Sequence, residues 1–181
     1  IPTEVLPVVA EPVAVLLANW GWPPNRQALQ RLLAQWPQVR RRVPDARLLL
    51  AGRGSTPSID LPGVEVVGEV ARTVDVLRRG AVMAFPCPPT SGPKMKVLDA
   101  LAYGVPVVTT AAGVEGIGAD TTGDTPGATV AAPQDFADVL AAVLADESQR
   151  RQLAAAGRQL VLDRHTPQRA AAARLALLSA R

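Results

Sequence analysis

Cysteine and histidine are nearly missing from this sequence. Cys87 is the single cysteine and His165 the single histidine in 181 residues. One cysteine excludes an internal disulfide, and one of each leaves too few ligands for a zinc cluster. Aromatics make up only 3% of the chain, so the core has to be built from Leu, Val and Ala. Few rings are left to stack on bases, and there is no dense basic block. The net charge of +3 is carried mostly by arginines scattered along helix-like segments, which argues against nucleic acid as a partner. No apolar run reaches the length of a membrane span. The start, IPTEVLPVVAEP, has neither a charged n-region nor a continuous apolar h-region, so it does not read as a signal peptide. Residues 1–12 read as a linker or a cut end, and the cytoplasm is the expected compartment. Neither a G-x-G-x-x-G after the first strand-like run nor a Walker A sequence is present, which argues against dinucleotide and P-loop chemistry.

What is present alternates. VAVLLAN (Val13–Asn19) is a nearly continuous apolar run, the pattern of a strand buried on both faces. Asn25–Val43 is helix-like, with Leu29, Leu32, Leu33, Trp36 and Val39 on one stripe and Pro37 placed to kink it. Strand-like runs recur at Ala46–Gly52, Val64–Val70, Ala81–Pro86, Val105–Thr110 and Gly127–Ala132. Short helices fit Thr73–Gly80 and Pro93–Gly104, and everything from Gln134 onward reads as helix, including the Ala-rich end with Leu175, Leu177 and Leu178. Alternation of this kind implies right-handed βαβ units. The expected fold is therefore α/β: a Rossmann-like, doubly wound parallel sheet of about six strands, helices on both faces, and a helical C-terminal tail. At 181 residues, 48% of them hydrophobic, one domain over residues 13–181 is expected. Ligands of such sheets lie at the carboxyl ends of the strands. The loops there are NWGWPPN, GRGSTPSIDLPG, EVART, PCPPTSGPK and TAAGVEGIG.

The stretch SGPKMKVLDALAYG (Ser91–Gly104) carries the most chemistry. Gly92 permits a tight turn and close approach to a ligand. Pro93 suits a first helical turn, whose free N–H groups and dipole attract anions. Lys94 and Lys96 near that end work against the dipole, at roughly 0.3–1 kcal/mol each, unless a bound anion such as a phosphate removes the conflict. Ser91 can donate a hydroxyl. Asp99 follows Lys96 by one turn, with Met95, Leu98 and Ala102 expected on the core-facing stripe. Two readings stand side by side. Lys96 and Asp99 form a surface ion pair, or the stretch holds a nucleoside diphosphate, with phosphates at the helix mouth and ribose hydroxyls at Asp99. Elsewhere, Trp20 and Trp22 either pack on the first helix or offer a stacking surface. Cys87 reads as a small buried hydrophobe and His165 as a cap or surface residue.

These motifs resemble the donor-binding segment of retaining GT-B-fold glycosyltransferases. That family includes sucrose synthases and phosphatidylinositol mannosyltransferases. One branch of it shows Ser-Gly-Thr-Arg-x-Lys-x-Leu-Glu-Ala-x-Ala-x-Gly-x-Pro-Val-Val. NWGWPPN is similar to the branch's Gly-Trp-x-Pro-Asn loop, and VPDARLLLAGRG to its Pro-x-Ala-x-Leu-x-x-x-Gly-x-Gly. The resemblance runs from about Val13 to the last helix. It implies the C-terminal, donor-binding half of a group 1 enzyme that transfers a sugar from a nucleoside-diphosphate sugar with retention. By position it implies that Asp99 replaces a ribose-binding Glu and that Ser91 replaces a Glu facing the donor sugar. Lys96 would touch the diphosphate, and Lys94 would stand for an Arg without its bidentate fork. Relatives let the nucleobase lie against the backbone near Val70. Arg53 either faces the phosphates or is a solvated loop arginine, and Glu115 either approaches the donor sugar or is a loop-surface acid. On this reading Lys96 and Ser91 carry the catalysis. No cofactor and no metal are expected beyond the donor itself. The acceptor-binding N-terminal domain is expected to be missing from this chain, leaving it inactive in isolation, and a membrane-surface acceptor would act through that domain. A non-catalytic nucleotide-sugar-binding module and a sugar-nucleotide epimerase of the same fold are the alternatives.

Overall fold

A computed structural model describes residues 2–54, 58–118, 125–166, 168, 169 and 171. Among them, strands and helices alternate as β1 (Val13–Leu17), α1 (Pro23–Arg42), β2 (Arg47–Ala51), β3 (Val64–Gly68), α2 (Thr73–Leu77), β4 (Val82–Phe85), α3 (Met95–Ala102), β5 (Val107–Thr109), α4 (Ala111–Val114), β6 (Ala128–Val130), α5 (Phe136–Ala145) and α6 (Glu147–Arg164). The six strands form one sheet in the order β3-β2-β1-β4-β5-β6. Every pairing in it is parallel. The expected Rossmann-like doubly wound fold is present.

The burial pattern explains why the apolar runs are continuous. All residues of β1, β4 and β5 are buried, because helices cover both faces of the sheet. The outer strands β3 and β6 are only partly buried. The chain builds outward from β1 through β2 to β3, then returns past β1 to build β4, β5 and β6 in the opposite direction. With right-handed crossovers, that reversal puts α1 on one face and α2 and α3 on the other. α5 comes back to pack on α1, and α6 packs on α3. Between β1 and β4 the loops of the two halves diverge, and a crevice opens there at the carboxyl edge.

Several local expectations change. α1 runs from Pro23, its first turn filled by two prolines that have no N–H to lose, and continues through Pro37. α3 is shorter than Pro93–Gly104. It begins at Met95, and Lys94 is its N-cap in extended conformation, so Pro93 lies outside the first turn. The residue before a helix is the natural place for non-helical backbone, and Gly92, at φ 82°, supplies the turn into it. The buried residues of α3 are Val97, Ala100, Leu101 and Ala102, whereas Met95 is 64% exposed. The core stripe therefore starts later in the helix than Met95. Residues 2–12 form no helix or strand, but they are not a loose linker. Leu6 is buried and its N–H donates to Tyr103 O at 2.9 Å. The buried Arg150 guanidinium donates to Ala10 O at 2.9 Å and Val9 O at 3.2 Å, as well as to Val143 O at the end of α5. One arginine thus fastens the incoming chain to the helical tail, and burial holds its pKa below the usual arginine value. The Leu175, Leu177 and Leu178 segment lies outside the described residues. No helix among the described residues is long and apolar enough to cross a membrane.

α6 approaches the entry to β6 so closely that only glycines fit. A Cβ on Gly127, at φ 83°, would lie 2.2 Å from the Gly157 Cα and 2.9 Å from Leu101 Cδ2. Gly68 has a similar φ of 82° but open space around it. Gly127→Ala is expected to cost roughly 2–4 kcal/mol of stability, a strained backbone plus overpacking, whereas Gly68→Ala costs only the conformational part, about 1–2 kcal/mol. Urea unfolding of the two variants measures the difference. Equal losses would mean that α6 does not press on Gly127.

Candidate functional site

The crevice at the switch point is an open cleft of about 300 Å³. Its floor is the carboxyl end of β1 at Leu17 and Ala18, with Gly52 beside it. Gly52 is required where it stands. At φ 144°, a Cβ would fall 1.7 Å from the Ala18 carbonyl oxygen. One wall is the loop after β3, Glu69 to Ala71 with Thr73, and the other is the first two turns of α3, with Lys96 and Asp99. Asn19 and Arg53 complete the rim. Of the residues singled out in the sequence, the cleft thus gathers Lys96, Asp99, Arg53 and Val70. Ser91, Gly92, Lys94 and Glu115 do not line it.

Lys96 is held from two sides by groups that carry no charge. Its Nζ donates to Asn25 Oδ1 at 2.6 Å and lies 4.3 Å from the centre of the Phe85 ring. No carboxylate among the described residues is within ion-pair distance of it. Burial pushes its pKa down from 10.5 to about 8. Asp99 stands on the exposed rim, yet the crowding around it raises its carboxyl above the ordinary value. In an ion pair each partner favours the other's charged form, so the lysine would go up and the aspartate down. The surface ion pair left open by the sequence is not formed in the structure, and both groups shift in the direction that burial, not pairing, drives. The two groups face the cleft separately, as one cation and one acceptor a helical turn apart.

Arg53 and Glu69 pair across the mouth at 3.3 Å, both largely exposed. Such a pair is worth at most about 1 kcal/mol, so either partner is readily released to a ligand. Lys94 turns inward and is buried. Its ammonium donates to the Gly92 carbonyl and, at 3.4 Å, to Thr90 O, with Glu115 Oε2 at 3.9 Å. It braces the turn that carries Ser91 and Gly92. Lys94 is turned toward backbone carbonyls and does not line the cleft, so the two lysines do not converge on one seat here. Glu115 ends α4 and Ser91 is exposed beside the same turn.

Trp20 is buried, 2% exposed, and Trp22 is the exposed N-cap of α1, so the first tryptophan packs and the second faces solvent. Arg26 donates to Trp20 O at 2.8 Å and Gly21 O at 3.1 Å, which ties down the first loop. Cys87 is buried, and burial raises its thiol pKa despite the nearby Lys94, Lys96 and Arg31, so it is no activated nucleophile. His165 caps α6 with Nε2 at 2.6 Å from Ile117 O, away from the cleft. Asn25 was not picked out in the sequence. Its signal in the sequence was its place as the asparagine of the Gly-Trp-x-Pro-Asn loop that NWGWPPN resembles.

With the geometry in place, comparison with known proteins decides the family. The sequence pattern described as "Glycosyl transferases group 1" matches residues 11–146. The chain belongs to the group 1 glycosyl transferases. No curated protein sequence matches it. Among solved structures, a TarM variant from S. aureus in complex with fondaparinux, alpha-GlcNAc-glycerol and UDP superposes with a TM-score of 0.73 at 13% identity over 91% of this chain. HepE from Anabaena with UDP-glucose gives 0.67 at 15% identity over 85% of this chain. The chain spans 34% of TarM and 44% of HepE. The C-terminal domain of LpcC, a group 1 family protein from Francisella tularensis, gives 0.64 at 17% identity and is covered over 86% of both chains. At these identities the likeness is one of fold: the Rossmann-like domain of GT-B transferases.

The downward shift of Lys96 has a consequence for stability. Below about pH 8 both folded and unfolded chains carry the proton, and the folded chain bears the full desolvation cost. Between about 8 and 10.5 the folded chain has released the proton and the unfolded chain still holds it, so the Lys96 contribution to stability rises with pH across that window. Cys87, raised, works in the opposite direction there, so the effect is read as a difference. Lys96→Met is expected to be as stable as the parent or more so at pH 7, with its advantage shrinking toward pH 10.5. A constant difference across the window, measured by urea unfolding, would show that the ammonium is not desolvated.

Proposed function

We propose that this chain binds the nucleoside-diphosphate sugar donor of a glycosyltransferase and that, opposite an acceptor-binding domain, it supports transfer of the sugar with retention. The observation that carries the reading is the unneutralised Lys96 ammonium, facing a cleft at the switch point with Asp99 one turn away. Diphosphate oxygens would take the ammonium and the released Arg53, the ribose hydroxyls would donate to Asp99, and the base would lie along the backbone at Val70. The chemistry asked of this half is electrostatic. As the bond from sugar to diphosphate breaks, negative charge builds on the departing oxygen, and a cation already desolvated and aimed there stabilises it without reorganising. Ser91 and Gly92, on the turn braced by Lys94, and Glu115, at the end of α4, would face the sugar. The histidine an epimerase would need in the cleft does not line it, since His165, the single histidine, lies against Ile117 O. A cytoplasmic location goes with a single, unpaired cysteine. A non-catalytic nucleotide-sugar module is the second reading, favoured by the serine at position 91 and by the inward turn of Lys94.

Calorimetry of the chain with UDP, GDP and ADP is the first test. One of them is expected to bind, and Lys96→Ala should weaken it by roughly 1.5–3 kcal/mol, the range for a charge-assisted hydrogen bond. Equal affinities in parent and variant would remove the phosphate role. The absence of turnover by the purified chain given a nucleotide sugar and acceptors is also expected.

The ribose assignment is tested by a cycle. The parent should prefer the ribonucleoside diphosphate over its 2′-deoxy analogue by about 1 kcal/mol, one net hydrogen bond. Asp99→Ala should abolish that preference. Four affinities at one salt concentration give the coupling, and a coupling near zero, with the 3′-deoxy analogue also indistinguishable, would sink the assignment.

A further inference from the structure

Asn25 occupies the first turn of α1, 4% exposed, with a side-chain amide engaged at both its nitrogen and its oxygen. Its Nδ2 donates to Asn19 O at 2.8 Å, and its Oδ1 accepts from Lys96 at 2.6 Å across a separation of 71 residues. We propose that Asn25 is a positioning residue for the cleft: it fixes the Lys96 ammonium in place while leaving its charge for an anionic ligand. This rests on the reading of the cleft as a diphosphate site.

The choice of residue argues for it. At the start of a helix, a carboxylate is favoured by the dipole, and α1 has no acid in its first turn. An aspartate at position 25 would also form a close ion pair with Lys96. It would fail in two ways. It has no donor for Asn19 O, and it would neutralise the lysine. An amide supplies both a donor and an acceptor with no charge. The ring of Phe85, on the other side, attracts the cation without neutralising it.

Lysine is itself a marked choice. Lys94 and Lys96 are the only lysines in the sequence, and every other basic side chain except His165 is an arginine. A lysine is a compact point charge that burial can shift, and an arginine stays charged in any pocket. The groups facing Lys96 leave its charge standing. Arg53 and Glu69 pair with each other, Cys87 is held as a neutral thiol, Lys94 is tied to carbonyls, and Asp99 on the same helix makes no ion pair with it. Asn25 therefore decides whether the ammonium stays in register with the cleft.

Because the chain has two lysines, lysine-selective NMR of the full chain resolves Lys96 by comparison with Lys96→Arg. Asn25→Asp should move the Lys96 titration upward by about one pH unit or more, and Asn25→Ala should leave it unchanged or move it down. Both should weaken UDP and inorganic pyrophosphate about tenfold at pH 7, the first by competing for the charge and the second by loosening it. A merely structural role predicts equal losses in both variants with the Lys96 titration unmoved by either, and that result, in folded variants, overturns the proposal. If both variants fail to fold, the parent decides. At pH 6 a nuclear Overhauser contact between the Lys96 side chain and the Asn25 amide protons is expected, and its absence overturns the proposal. Failure of the parent to bind UDP, GDP, ADP or pyrophosphate would instead sink the donor reading, with the Lys96 titration still deciding the role of Asn25.

Discussion

Lys96 brings a charge into a position where water can no longer solvate it fully and where no carboxylate among the described residues answers it. A half-buried ammonium of this kind is costly, and the surrounding structure can be read as what makes the cost bearable. The parallel sheet brings the end of β4 and the start of α1 close together, so that Phe85 and Asn25 can both reach the ammonium. Asn25 is free to do so because its other half is satisfied by the loop after β1. That loop is fixed in turn by Arg26 and by the packing of Trp20. Removing any of these would let the lysine swing to solvent, where it costs nothing and attracts little.

The sheet topology makes such a site available at this point. The strand order reverses between β1 and β4, so the loops leaving those strands head to opposite faces and leave a gap above the edge. Side chains from α1 and α3 meet across that gap, and the loops after β2 and β3 close one end of it with Arg53 and Glu69. Glycine at position 52 is what lets the chain leave β2 against the Ala18 carbonyl and keep the floor low. The fold supplies the gap, and the sequence has only to put one cation and one acceptor on the same helix.

Much of this was legible in the residues. The continuous apolar runs of β1, β2 and β4 and the punctuation by Gly and Pro were enough for the order and type of nearly every element, because strands buried on both faces leave an unmistakable pattern. The short α4 was not visible, since four residues cannot show a helical period. The start of α3 differs from the expectation because Pro93, two positions before the first helical residue, is tolerated there as well as at the first helical position. The partnership of Lys96 with Asn25 was also out of reach. It joins residues 71 apart, and no local spacing encodes it. The separation of Lys96 from Asp99 was equally hidden, because i and i+3 residues meet or part according to what else surrounds them.

Lys94 and Lys96 show how little a charge pattern alone can say. Two residues apart at the start of a helix, they look like one anion clamp. The helix begins between them, and that splits their fates. Lys94, in extended backbone at the N-cap, folds back on the carbonyls of Thr90 and Gly92 and becomes part of the turn's frame, with Glu115 close by. Lys96, on the helix proper, is carried round toward the cleft. On the proposed reading, the frame and the charge would serve different ends of one ligand. The turn stiffened by Lys94 presents backbone and the Ser91 hydroxyl, which suit a sugar, and Lys96 presents an uncompensated cation, which suits a diphosphate. A nucleotide sugar needs both, at adjacent places and with unlike chemistry, and a lysine pair acting together could have provided only one.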